Sequence, residues 1–256
     1  MLGGMVPFTR RDNRRTPPRM PKRPKHVSLP LSPDRTARSG PRRMAQGASA
    51  AALLTLAGCA SVSPMSWFDD PGPSLAPAPG ATTFVFIRHA EKPISGLGQL
   101  NCRGLNRAIA LADRLPLRVG PPQAVFAPSP ASQNEDSGKS YSYVRALATV
   151  EPLAVRYTLP VNAQIGYNDP AALVAALDAP ALRGQTVVIA WQHDALVTAV
   201  RDLLGRHGGP ASAVPRWRGS DFDSIYIVRV PADGSGADFI QMSQGLDRLS
   251  QSCPTG

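Results

Sequence analysis

Four histidines occur in the 256 residues, and two of them follow apolar, strand-like runs. His89 lies in "TTFVFIRHAEKP" (82–93), with Arg88 before it and Glu91 and Lys92 after. His193 follows "QTVVIAW" (185–191) in the triplet Gln192-His193-Asp194. A neutral imidazole is a nucleophile and proton carrier near neutral pH, and a guanidinium is a fixed cation that can grip an anion through two parallel hydrogen bonds. An Arg-His pair alone says little, because Arg206-His207 repeats it. That second pair follows a helical pattern and precedes Gly208-Gly209, a helix-ending composition, so His207 reads as a surface residue. His26 lies in a basic, proline-rich head. The chemistry therefore rests on His89 and His193.

The elements that must position them alternate along the chain. Continuous apolar runs at 83–87 and 185–191 read as strands buried in the sheet, the first on both faces, and 123–127 is a short strand candidate. Residues 106–116 have helical spacing through Ile109, Leu111, Ala112 and Leu115, with a stop at Pro116. Residues 142–154 look helical and 155–159 strand-like. Asp169-Pro170 places an N-cap and a proline at the first helical position, which opens a helix over 169–179. A further helix spans 195–205 and is closed by Gly205. Two final strands, 223–230 and 238–243, flank a hairpin-permissive "PADGSGA". Strands alternating with helices predict a three-layer α/β/α domain with a largely parallel sheet. In such sheets ligands bind at the carboxyl ends of the strands, where both histidines fall.

"FVFIRHAEKP" resembles the Arg-His signature of the histidine phosphatase superfamily (phosphoglycerate mutase-like), chiefly its branch 1. Four further segments follow in the family's order: "LNCRGLNRAIALADRL", with Asn101 in place of the usual hydroxyl residue; "SYVRALATVEPLA", carrying a second arginine, Arg145; "VVIAWQHDALVTAVRDLLG", carrying His193; and "FDSIYIVRV". The resemblance covers roughly residues 83 to 243. It implies a phosphomonoesterase in which His89 attacks phosphorus to give a phosphohistidine that water hydrolyses. Arg88 and Arg145 would hold the phosphate oxygens, and His193 would donate to the transferring group. The two negative charges of a phosphomonoester suit that set. No cofactor or metal is implied; the histidines lack zinc-like spacing and the three cysteines form no C-x-x-C pair.

The acid for the leaving group is open among Asp194, Glu91 and Glu151, with Asp194 preferred; Asp169 is better explained as a helix cap. Phosphohistidine phosphatases of the superfamily do without such an acid. No large cap domain is inserted, so the pocket is expected to be open, taking a phosphorylated small molecule or phosphoprotein. A catalytically idle fold that binds phosphorylated ligands or an envelope protein is the alternative.

The formal charge of +10 resides in the head: residues 1–43 hold 12 Lys/Arg against 2 Asp, and the remainder holds 16 of each sign. The domain is neutral, and nucleic acid is not an expected partner. The head, rich in proline and without apolar periodicity, reads as a disordered leader. Residues 44–59 then run from an apolar core to Leu56-Ala57-Gly58-Cys59, too short to span a bilayer and laid out like a secretory signal. The end resembles a lipobox, which implies lipidation of Cys59, a membrane anchor, and an exported domain facing the periplasm. Residues 60–81, rich in Pro, Ser and Ala, read as a tether, and the domain as 82–256. With Cys59 lipidated, an even pair remains in an oxidising compartment, and a Cys102–Cys253 disulfide is expected.

Overall fold

The computed structural model describes residues 74–76 and 78–254. The leader (1–43), the signal segment with Cys59 (44–59) and most of the tether lie outside the described residues. The end of the tether is docked: Leu75 donates its backbone N–H to the Arg118 carbonyl at 2.6 Å and packs against the core.

Eight strands and four helices follow: β1 (Thr82–Arg88), α1 (Cys102–Val119), β2 (Ala124–Phe126), β3 (Gln133–Asp136), β4 (Lys139–Ser142), α2 (Arg145–Arg156), β5 (Val161–Asn162), α3 (Pro170–Leu177), β6 (Thr186–Trp191), α4 (His193–Arg206), β7 (Ser224–Val230) and β8 (Asp238–Ser243). Six strands form one sheet in the order β5-β2-β6-β1-β7-β8, parallel from β5 to β1, with β7 antiparallel to both β1 and β8.

The run of seven buried residues in β1 has a simple cause: both faces of the sheet are covered. Phe84 and Phe86 pack with Leu173, Val174, Leu196 and Leu203 of α3 and α4. Val85 and Ile87 point the other way, onto Leu111 and Leu115 of α1 and Val150 and Leu153 of α2. Period-two alternation thus feeds two cores, and the domain has three layers, α/β/α.

Four local expectations are corrected. α1 continues past Pro116 to Val119: the proline forfeits one N–H donor to the helix, and the burial of Leu115 and Val119 outweighs that loss. Ile109 is exposed, and Ala108 takes the core position beside it. Val155 and Arg156 complete α2 instead of opening a strand; Thr158, at φ 53°, turns the chain, and β5 is confined to Val161–Asn162. α4 runs through Gly205 to Arg206, with the left-handed turn at Gly208 (φ 75°).

Candidate active site

Strand register explains how distant residues meet. Arg88, the last residue of β1, pairs with Trp191, the last of β6, and the His89 N–H donates to the Trp191 carbonyl at 3.0 Å. His89 and His193 therefore leave adjacent parallel strands at one edge. β7 is antiparallel, so it brings the loop before it to that same edge: Ile225 pairs with Ile87. Arg88 uses that loop, donating from Nη1 to the carbonyls of Gly219 (2.6 Å) and Asp221 (3.1 Å), with its guanidinium 4.1 Å from the Phe222 ring centroid.

His89 is buried, and its Nδ1 lies 2.8 Å from the Ala90 carbonyl oxygen. A carbonyl can only accept, so Nδ1 carries the proton and the lone pair falls to Nε2. Burial, reinforced by the charges of Arg88, Arg145 and His193 and only partly opposed by the Ala90 bond, holds the His89 pKa well below its ordinary value. The ring is therefore neutral near pH 7, the state a nucleophile needs. The Tyr143 and Phe222 rings stand 6.1 and 6.2 Å from it, and the Arg145 guanidinium lies 4.6 Å from the Tyr143 centroid.

The chain beyond His89 is fixed from α2. Thr149 Oγ1 accepts from the Ala90 N–H at 2.9 Å and donates to the Arg145 carbonyl at 2.7 Å. One side chain thereby ties the loop that follows His89 to the helix that presents the second arginine. Arg88 Nε and Arg145 Nε are buried without a hydrogen-bond partner. Burial above all pushes the Tyr143 hydroxyl up to about 12, so it stays a neutral donor. Unpartnered guanidinium donors near a neutral imidazole are chemically suited to an oxyanion, since leaving them unmet is costly.

His193 opens α4, whose N-cap Gln192 accepts from Ala195 N through Oε1 at 2.8 Å. That bond identifies Nε2 of Gln192 as its amine, which donates to Asp194 Oδ2 (3.0 Å) and faces His193 Nδ1 (3.4 Å). His193 Nε2 is left as the ring's donor, 3.5 Å from Asp194 Oδ2. Burial first, then the Arg88 charge, lowers the His193 pKa against the opposing pull of Asp194. The Asp194 side chain is 78% exposed, at the rim.

The other acid candidates are placed differently. Glu91 is clamped by Arg107, which donates from Nε to Oε2 (3.0 Å) and from Nη2 to Oε1 (2.9 Å), with Arg103 Nε 3.2 Å from Oε1. Burial pushes the Glu91 carboxyl up, but Arg107 outweighs it and holds the group below its usual range. Glu91 is thus a structural anion. Glu151 lies exposed on α2, and Asp169 caps α3 by accepting from Ala172 N at 2.9 Å. His207 is half-buried at the far end of α4, 2.9 Å from Asp178 Oδ1.

Two features had no place in the sequence reading. Arg107, almost fully buried, also reaches Asp223 Oδ1 (3.2 Å) and Gln244 Oε1 (2.9 Å), joining the His89 loop to the ends of β7 and β8. The β3–β4 hairpin meets Arg145 and Lys92 through Asp136. Its Ser137-Gly138 turn, with φ of 55° and 74°, was the available signal. A cavity of about 400 Å³ lined by Glu91, Lys92, Asn101, Arg103, Phe222 and Gln251 adjoins Phe222. A larger one, about 770 Å³, is lined by Phe84, Asp178, Arg183 and His207 and contains none of the site's histidine–arginine set. Cys102 and Cys253 form a disulfide, Cα atoms 4.3 Å apart, that holds the C-terminal tail beside α1. Among the described residues, no group of three or more His, Cys, Asp or Glu is arranged to hold a metal ion.

No family model matches the chain, and no curated protein matches it. Among solved structures it is similar to a putative phosphohistidine phosphatase from Nakamurella multipartitia (18% identity, TM-score 0.43), covering 64% of this chain and 97% of that one. It is also similar to a mycobacterial glucosyl-3-phosphoglycerate phosphatase (15%, TM-score 0.41, covering 63% and 97%). A third likeness is to a phosphoglycerate mutase from Plasmodium falciparum (12%, TM-score 0.42, covering 69% and 98%). These likenesses are distant.

Proposed function

We propose that this protein is a phosphomonoesterase of the histidine phosphatase superfamily, working through a phosphohistidine on His89. The observation that carries the reading is the Nδ1–Ala90 bond, which leaves the Nε2 lone pair on a neutral, buried ring among Arg88, Arg145 and His193. Phosphate oxygens would meet the unpartnered Nε atoms of Arg88 and Arg145. His89 Nε2 forms the N–P bond as the ester P–O bond breaks, and the leaving oxygen takes a proton from Asp194. His193 Nε2–H stabilises the charge developing on the transferring group. Water then attacks phosphorus, Asp194 takes its proton, the N–P bond breaks and phosphate is released. None of these steps calls for a metal ion. Export and anchoring through Cys59 complete the proposal and rest on the sequence pattern of residues 44–59.

His89→Ala should abolish turnover of an aryl phosphate in a protein that stays folded, while EDTA leaves the wild type unaffected. Activity within a few-fold of wild type would remove the nucleophile, and loss on chelation restored by Zn²⁺ or Mg²⁺ would remove the metal-free scheme. Oxyanion binding by a wild type that turns nothing over would point to the idle phosphate-binding reading.

A further inference from the structure

The β3–β4 hairpin brings into the site a carboxylate that the scheme above does not use. Asp136, the last residue of β3, accepts from Arg145 Nη1 at 2.6 Å and Asn134 Nδ2 at 3.1 Å through Oδ2, and from Lys92 Nζ at 2.7 Å through Oδ1. Both oxygens are committed, and the side chains of Asp136 and Arg145 are 13% and 4% exposed. Burial pushes the Asp136 carboxyl up, but Lys92 and Arg145 outweigh it and keep it ionised near neutral pH.

The hairpin is fitted to this position. Val144 and Arg145 donate their backbone N–H groups to the Gly98 carbonyl at 3.1 and 2.9 Å. Gly96, at φ +83°, lies so close that a Cβ on it would stand 2.1 Å from Asp136 Cβ. A Cβ on Gly98 (φ +68°) would stand 2.2 Å from the Ser142 carbonyl oxygen. Only glycine admits both the left-handed backbone and the close approach. The contact is built from both sides.

We infer that Asp136 is the positioning residue of Arg145: it takes the Nη1 edge of the guanidinium and so turns the unpartnered Nε edge toward the oxyanion. A planar fork held at one edge loses less freedom on binding at the other, so the hairpin preorganises the site. Lys92, held by the same carboxylate, joins the hairpin to the loop that follows His89. This inference rests on Arg145 being an oxyanion ligand, and it differs from a gate, in which the carboxylate would compete with phosphate for Arg145.

The test is tungstate binding to the full-length protein by calorimetry, a readout that needs no turnover. Asp136→Ala should weaken binding about tenfold, the scale of one hydrogen bond to a charged group, and Asp136→Asn by less. In an Arg145→Ala background the same change should have no further effect. Gly96→Ala, which alters no charge, should reproduce the loss by displacing the hairpin. Unchanged binding by a folded Asp136→Ala protein overturns the inference, as does a full effect without Arg145; tighter binding overturns it in favour of the gate. A wild type that binds tungstate without hydrolysing esters would end the phosphatase reading and leave this one intact. One that binds no tungstate would end both.

Discussion

Replacing Arg107 with Met keeps the approximate volume and removes the charge from the centre of the network behind His89. The wild-type side chain is almost fully buried and gives four hydrogen bonds: two to Glu91, one to Asp223 and one to Gln244. Asp223 keeps the backbone N–H groups of Gly245 and Leu246, at 3.1 and 2.7 Å, so it is not stranded. Glu91 is left with Arg103, 3.2 Å from Oε1, and its own backbone N–H, and its side chain is 11% exposed. Breaking a buried pair from one side costs about 3–5 kcal/mol, and the partial exposure of Glu91 argues for the lower end, about 3 kcal/mol. For a domain of this size that is a fall in Tm of about 6–12 °C.

The pH dependence gives a sharper signature. In the wild type the Glu91 pKa is lowered, so its contribution is present above the ordinary carboxylate range and is lost as pH falls through the folded value. Without Arg107 the main lowering cause is gone and burial, which raises it, remains. The variant's deficit should therefore be larger at about pH 7 than at about pH 5, because acid favours the protonated Glu91 that needs no cationic partner. Urea unfolding of both proteins at the two pH values measures it. A deficit below about 1 kcal/mol at neutral pH, or one that grows toward acid, would refute the reasoning, because Glu91 would then not depend on Arg107.

Two more predictions follow. Asp194→Asn should slow hydrolysis of an alkyl phosphate by roughly 100-fold, the lower range for general acid catalysis, and that of a nitrophenyl phosphate far less, because a good leaving group needs no proton; equal losses would remove Asp194 as the acid. Mass spectrometry of protein taken from the host envelope should find lipid on Cys59, no residues 1–58, and Cys102 and Cys253 alkylated only after reduction. An intact N-terminus with unmodified Cys59 would end the anchor reading, and labelling without reduction would place both thiols free in the cell.

What the sequence disclosed, and what it hid, divides along a physical line. Runs such as 83–87 and 185–191 are apolar because two helical layers cover them, so burial itself wrote the strands and placed His89 and His193 at their ends. Asp169-Pro170 announced α3 because a cap and a fixed φ are local properties. "VRYTL" misled for the opposite reason: its β-forming residues finish a helix whose buried face, through Val150, Leu153 and Ala154, is set by tertiary contacts. The hairpin was missed because "QNED" and "KSYS" bury little apolar surface and show no alternation, leaving only the turn chemistry of Ser137-Gly138 as a sign.

The site follows the same division. Arg88 and His89 were legible because they end a strand; the neighbouring Ala90 carbonyl fixes the His89 tautomer, but the charges of Arg145 and His193 come from far along the chain. Glu91 illustrates the point: two residues from His89, it is a reasonable acid by proximity, yet Arg107, 16 residues on, makes it a structural anion. Asp136 is the converse, a polar strand-end residue with no motif around it that reaches Arg145 because Gly96 and Gly98 let the hairpin approach. Nothing in the side chain itself separates the two carboxylates. Each is assigned by which guanidinium it meets and by which edge of that guanidinium it leaves free.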